Sequence, residues 1–437
     1  MTLKKIGILG AGIAGLGAAN LLHTQGKEPK IFDKRSAAGG HTSSTKTKEG
    51  FIFDEGPHVS FTKDKRIQKA FAKSVEDAYE VIQVKVDNFW KGKWIKHPAI
   101  CNLHGLPAEL VYEIIRDVSL LQTEDKSSPP TNFAEWLTSS YGKTFSETFP
   151  FDYNEKYHTT HPKNLDIDWL GPRLYKASFE EVVKGSLSQT TPDVHYVDHF
   201  RYPTDGGFES YLNDLKLNKN YAFNYECQNI DLKKKVVSFG NGKQFEFDQL
   251  ISSIPLPVLI QRIQNAPKEV LDASRKLACS TCVCVSVGVN RSDIHEAQWT
   301  YYYDKEISFA RTSIPHLLSP KTVPDGCGSI QCEVYFSDKY RPLTKSLKSV
   351  EEDVLRDLRK CGLVQESDQI LCVHTQKLEY ANVIFDLERA SSLKIIMDFL
   401  AETDLHVCGR FGEWGYHWTD ESLLSGEEAA RAALSKI

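Results

Sequence analysis

Gly10-Ala11-Gly12-Ile13-Ala14-Gly15 follows a short apolar run, residues 5–9, and opens a stretch with helical apolar spacing, residues 13–25. A second apolar run at 29–32 ends in Asp33, eighteen residues after Gly15. Strand, glycine turn, helix and strand in this order predict a βαβ unit. In such a unit Gly10 permits the tight turn, Gly12 lets backbone approach a pyrophosphate, and Gly15 lets helix and strand pack closely. Ala14 lies within the same turn. The helix N-terminus supplies free N–H groups to phosphate, and the Asp33 carboxylate is placed to accept ribose hydroxyls. The pattern predicts dinucleotide binding without separating NAD from FAD.

Two further segments favour FAD. After Asp33 comes Lys34-Arg35-Ser36-Ala37-Ala38-Gly39-Gly40-His41, a second glycine pair at the spacing seen in flavoproteins with two dinucleotide-binding motifs. Near the far end, Val407-Cys408-Gly409-Arg410-Phe411-Gly412 reads as strand, Gly-Arg turn and helix, similar to the segment that closes over the flavin ring in that class. Either piece alone reads as an ordinary surface turn. Together and in order they point to FAD.

Composition sets the frame. At 437 residues the chain exceeds what one hydrophobic core usually supports, so at least two structural units are expected. Apolar residues at 41% and charged residues at 25% describe a folded protein rather than a disordered one. A net charge of −5 gives no broad positive field for a phosphate backbone, so nucleic acid is not an expected partner. No run approaches the length needed to cross a bilayer, and residues 1–9 lack the pattern of a signal peptide, so no membrane association and a cytoplasmic location are expected. Ten cysteines without a secretion signal favour reduced thiols, and Cys279, Cys282 and Cys284 read as a buried strand rather than a metal site. No metal is expected. Residues 236–239 and 244–247 flank Asn241-Gly242, the strongest short hairpin signal. Residues 66–187 read as mostly helical.

The glycine motifs resemble the superfamily of FAD-dependent amine oxidases, protoporphyrinogen oxidase and UDP-galactopyranose mutase, and further segments are most similar to the mutases. Phe53-Asp54-Glu55-Gly56-Pro57-His58-Val59 resembles the loop whose histidine lies against the flavin, so Gly56, Pro57 and His58 are expected at the cofactor. Trp169-Leu170-Gly171-Pro172-Arg173 and Phe309-Ala310-Arg311-Thr312-Ser313 resemble the two arginine segments at the nucleotide diphosphate. A guanidinium can give phosphate a bidentate, charge-assisted fork, although the plain reading of either arginine is an ion pair. Trp299-Thr300-Tyr301-Tyr302-Tyr303 resembles the aromatic strand at the sugar and diphosphate, and is otherwise a cross-strand aromatic ladder. Phe200 to Phe208 carries the Tyr-Pro-x-x-Gly-Gly segment of the superfamily, and Gly409 to Tyr416 is close to the mutase motif whose tyrosine points to phosphate.

The resemblance implies an α/β fold with a Rossmann-like FAD-binding domain from 1–85, 200–255 and 400–437. An interleaved α+β substrate domain is expected from 86–199 and 256–399. It implies a mutase acting through reduced FAD, which interconverts pyranose and furanose forms of a nucleotide-linked sugar after priming by a reductant, expected to be NAD(P)H. His58, Arg173, Arg311, Tyr301 and Tyr416 are the expected catalytic set. Gly10, Gly12, Ala14, Gly15, Asp33, Lys34, Gly39, Gly40, His41, Gly56, Pro57, Gly409, Arg410 and Asp420 are expected at the cofactor. The sequence departs from the mutases in two places: the stretch after Tyr416 is about two residues shorter, which loosens the alignment of Asp420, and Asn382 stands where the family has a tyrosine. The alternatives are an FAD-dependent oxidoreductase of the amine oxidase or protoporphyrinogen oxidase kind, and a non-enzymatic carrier such as the Rab escort proteins. Oligomeric state is left open.

Overall fold

The structure, a computed structural model, describes residues 4–123, 129–171, 174–194, 197–217 and 219–436. Its first sheet is parallel and five-stranded, in the order Leu405–Val407, Gln249–Ser252, Ile6–Leu9, Lys30–Asp33 and Asn220–Phe223. The two central strands, Ile6–Leu9 and Gln249–Ser252, are buried along their whole length, as expected when both faces of a parallel sheet are covered.

Helix Ile13–Thr24 leaves the glycine turn and packs on the closing helix Thr419–Ser435. The helices meet backbone to backbone. A Cβ on Gly17 would sit 2.4 Å from the Leu423 carbonyl oxygen, and one on Gly426 would sit 1.9 Å from the Ala14 oxygen. This contact fastens the far end of the chain over the turn made by its beginning. The hairpin expected around Asn241-Gly242 is present, with Val236–Phe239 antiparallel to Gln244–Glu246.

The second large sheet has seven strands, in the order Ile370–Ile384, Ala278–Val289, Gly328–Phe336, Arg311–Ser313, Trp299–Tyr302, Val86–Trp90 and Lys93–Lys96. Its pairings are antiparallel except between Trp299–Tyr302 and Val86–Trp90. The cysteine-rich run is buried strand Ala278–Val289, and among the described residues no cluster of His, Cys, Asp or Glu could hold a metal. A helical layer from Ala108–Leu120 to Phe179–Leu187 packs beside this sheet around Phe133, Phe149 and Leu165. No helix of the described residues is long and apolar enough to cross a membrane.

The mainly helical reading of residues 66–187 needs correction at its start. Strands Tyr79–Gln83, Val86–Trp90 and Lys93–Lys96 occupy that region. The last two form a tight hairpin whose turn, Lys91-Gly92, has positive φ at both residues, the geometry that matches strand twist. The lysine there hid the turn signal.

The Gly426 contact yields a stability test. Gly426→Val should destabilise the fold by about 2–3 kcal/mol, because the Ala14 carbonyl it meets is helix backbone and cannot swing aside. Thermal unfolding of the FAD-loaded variant and wild type checks this; equal midpoints would show that the two helices separate at little cost.

Candidate active site

The floor of the site is made of backbone. Gly10 has φ +99°, donates its N–H to the Phe32 carbonyl at 2.8 Å, and turns the chain into the helix. A Cβ on Gly15 would stand 1.9 Å from the Gly10 oxygen, so the helix can start this close to the strand only with glycine there. The second glycine pair docks on this turn. Gly39, at φ +137°, donates its N–H to the Ala11 carbonyl at 2.9 Å, and a Cβ on Gly40 would lie 3.0 Å from the Gly12 Cα. Asp33 sits at the edge, accepting the Ala11 N–H at 2.7 Å and the Arg35 N–H at 2.8 Å.

A buried ion cluster braces this floor. Arg35 gives Glu55 two hydrogen bonds, at 2.7 and 3.0 Å, and gives the Gly40 carbonyl a third at 3.0 Å. His41 stands 3.4 Å from the same carboxylate. Burial pushes the Glu55 carboxyl up, but His41 and Arg35 outweigh it and hold the group at about 2. The adjacent Asp54 accepts the Tyr202 hydroxyl and the Phe208 N–H, which ties the Tyr-Pro-x-x-Gly-Gly segment to the same place. Burial raises Asp54 to about 6 despite the Ser44 and Tyr202 hydroxyls.

A cavity of about 780 Å³ runs from this floor to the face of the seven-stranded sheet. On that face Tyr301, Arg311 and Glu333 are direct neighbours across three strands. Glu333 is buried and takes the Nε and Nη2 edge of Arg311, with the Nη2 bond at 2.9 Å. The Nη1 and Nη2 end of the guanidinium remains for another acceptor. Helix Pro150–Tyr157 presents Tyr153 and Tyr157, one turn apart, whose rings stack at 5.6 Å. Tyr153 backs Tyr301 edge-on at 5.3 Å and Tyr157 meets Tyr335 at 4.9 Å; Tyr157, Tyr301 and Tyr335 line the cavity, so the inner wall is aromatic with phenol hydroxyls.

Arg410 is held differently. Its Nη2 donates to the Asn382 side-chain oxygen at 2.8 Å, its Nη1 to the His417 carbonyl at 3.2 Å, and the guanidinium carbon lies 4.6 Å from the Tyr416 ring centroid. Among the described residues it has no carboxylate partner. Its charge is therefore offset only by carbonyl dipoles and a ring face. Tyr157 lies within electrostatic reach of both Arg311 and Arg410. His58 donates from Nδ1 to the Gly56 carbonyl at 2.8 Å, leaving Nε2 as an acceptor. Burial drops its pKa to about 4, so the ring is neutral at pH 7.

Gly10, Gly12, Ala14, Asp33, Lys34, Gly39, Gly40, His41, Gly56, Pro57, His58, Gly409 and Arg410 all line this cavity, as do Tyr301, Arg311 and Tyr416. Gly15 lies behind the wall, packed on Gly10. Asp420 is off it: Thr419 and Ser422, three residues apart on the closing helix, face the cavity. Arg173 lies outside the described residues. Sequence reasoning passed over Arg35, Glu55, Glu333, Tyr153 and Tyr157. A lone glutamate in the apolar strand Gly328–Phe336 and two tyrosines four apart on a helix were the signals available.

These residues fit FAD. A side chain at Gly12, Gly39 or Gly40 would fill the cradle, and the helix from Ile13 has no side-chain cap, leaving its first N–H groups for a diphosphate. Asp33 would take the adenosine ribose, and the loop at Gly56 to His58 with the Gly409 turn would enclose the ring system.

The comparisons with known proteins agree with this floor. The profile of the family described as flavin containing amine oxidoreductase matches residues 13–434. A crystal structure of reduced UDP-galactopyranose mutase superposes with a TM-score of 0.93 at 24% identity, covering 99% of this chain and 96% of that one. A putrescine oxidase double mutant redesigned in cofactor binding gives 0.66 at 14% identity, covering 99% of each chain. At these identities the likeness is one of fold. A 4,4'-diapophytoene desaturase of Staphylococcus aureus strain Newman is 40% identical over 83 residues, 18% of this chain and only 16% of that protein's length.

Glu55→Gln should weaken FAD binding roughly tenfold or more, because Arg35 loses the charge that aims it at Gly40. The Glu55 carboxylate, held down from 4.5 to about 2, contributes about 3 kcal/mol to folding. A lowered acid is worth most when ionised, so this contribution is complete above pH 4.5 and fades as pH falls towards 2. FAD titration and acid unfolding of both proteins check the pair; if their acid limbs coincide, the brace is energetically idle.

Proposed function

The chain belongs to the flavin containing amine oxidoreductase family, and within it we propose a mutase that interconverts the pyranose and furanose forms of a nucleotide-linked sugar through reduced FAD. The observation that carries this reading is Arg410, a cavity-lining guanidinium with no carboxylate among the described residues, facing the same cavity as Arg311. The cofactor's own diphosphate would lie on the glycine floor, and on this reading Arg410, expected from the sequence at the cofactor, faces the substrate. A diphosphate answers the arginine's charge.

Reduced FAD, when bound, supplies the electron-rich centre at which a sugar ring can open and reclose. The chain's part is to hold the nucleotide and receive charge as the diphosphate leaves. Arg410 and the open end of Arg311 donate to phosphate oxygens, and Tyr301 and Tyr416 add hydroxyl donors. Arg173 joins them in this proposal, by the resemblance of its segment to the mutase region whose arginine reaches the nucleotide diphosphate. His58, neutral and fixed by Gly56, offers Nε2 as an acceptor without adding positive charge. The aromatic wall keeps water from the reacting carbon. NAD(P)H is the proposed reductant.

The test is to incubate the FAD-loaded protein, chemically reduced, with UDP-galactopyranose and related nucleotide sugars, and to look for the furanose by chromatography and NMR. At least one should be converted, and Arg410→Ala should lower kcat/KM by about 100-fold or more. A complete lack of ring-contracted product, with an amine or polyene reducing the flavin stoichiometrically, would make the protein an oxidoreductase instead.

A further inference from the structure

We propose that Asn382 reads the ligand of this site: its side-chain oxygen holds Arg410, and its amide NH2 donates to an acceptor atom of the phosphate-bearing group. The inference rests on the reading above for the ligand's anionic character, and adds which residue beside the arginine contacts it.

Three observations carry it. Arg410 has only donors, so the atom facing it at 2.8 Å must be the Asn382 oxygen, and this fixes the amide's orientation. The NH2 then bonds to no group among the described residues, although Asn382 is only 7% exposed and lines the cavity. The NH2 thus faces the cavity, and a ligand that displaces water from it must supply an acceptor, which a phosphate oxygen does.

The strand is also shaped to deliver the residue. Ser280 pairs with Asn382 and Cys282 with Leu378, so two steps along one strand face four along the other. The two extra residues form a bulge immediately before Asn382, and bulges beside sites re-aim side chains. The Ser280 hydroxyl then pins Asn382 at both ends of its peptide, bonding its N–H and its carbonyl.

The amide is also the chemically apt choice. Glu333 holds Arg311 but cancels its charge. Asn382 holds Arg410 and leaves the charge intact, so the pair offers an anion one cation and one aligned neutral donor.

The experiment uses the FAD-loaded full chain, oxidised, titrated with UDP and separately with inorganic pyrophosphate, by calorimetry and flavin absorbance. Asn382→Ala removes donor and brace and should weaken binding about tenfold; Asn382→Asp keeps the brace but cancels the charge, and should weaken it about thirtyfold or more. A direct donor should weaken binding when Asn382→Ala is made in the wild type and again when it is made in an Arg410→Ala background. A residue that only positions Arg410 would have no effect in the Arg410→Ala background, which overturns the proposal, as does equal binding by all three proteins. If pyrophosphate follows the expected order while UDP does not bind wild type, the Asn382 inference stands and the nucleotide-sugar reading falls. If neither probe binds wild type, both fall. Should the Asp variant fail to retain FAD, Asn382→Ala in the Arg410→Ala background decides: further weakening supports the proposal, and unchanged binding overturns it.

Discussion

One backbone contact underlies the site: the Gly39 N–H on the Ala11 carbonyl, with Gly40, at φ +59°, so close to Gly12 that a Cβ on it would stand 3.0 Å from the Gly12 Cα. It brings the turn after the first strand and the turn after the second into one surface of N–H groups. Nothing in that contact is apolar, so it cannot hold itself together by burial. The Arg35 and Glu55 cluster does so, since one guanidinium spans the Gly40 carbonyl and a carboxylate from the next hairpin. The pull is strong enough that Glu55 stays ionised despite being buried. Asp54, one residue earlier and with hydroxyl and N–H partners rather than a cation, is pushed the other way.

The opposite wall solves a different problem. On the proposed reading this sheet face accepts an anion and needs positive charge, yet a desolvated cation is expensive. The two arginines take two routes. Arg311 sits beside Glu333 across a strand pair, a neutral couple that keeps geometry and one donor edge. Arg410 sits at a helix-turn with carbonyl oxygens and the Tyr416 ring, which stabilise the cation without neutralising it. A ligand that approaches both meets one net positive charge, placed at one end of the cavity.

Much of this was legible from residues near one another in sequence. The first βαβ unit, its glycines and Asp33, the Asn241-Gly242 hairpin and the buried cysteine strand all have local causes: a turn needs φ above zero, and a covered strand is apolar throughout. Arg35, Glu55 and Glu333 were not legible, because each owes its role to a partner in another strand or turn, and a single charged residue looks the same in sequence whether solvated or locked. Asp420 lies off the cavity lining, since its helix begins with Thr419 and the periodicity that faces Thr419 and Ser422 inward turns Asp420 aside. Residues 79–96 misled because a Lys-Gly turn does the work usually marked by Asn-Gly.

The division between floor and wall also explains what kinship can decide. The glycine floor requires particular residues at particular positions, while the family profile matches residues 13–434, most of the chain beyond the first glycine turn. The wall is one row across three strands, Tyr301, Arg311 and Glu333, with Arg410 and Asn382 from elsewhere, and none of these takes part in the glycine contacts of the floor. Proteins that share the floor can therefore carry out unlike reactions, and overall likeness to a mutase and an oxidase measures the part they hold in common. On the proposed reading, substrate is decided where the two arginines differ. Because Asn382 spares the charge that a carboxylate would cancel, the character of the ligand depends on a single side-chain oxygen being an amide's.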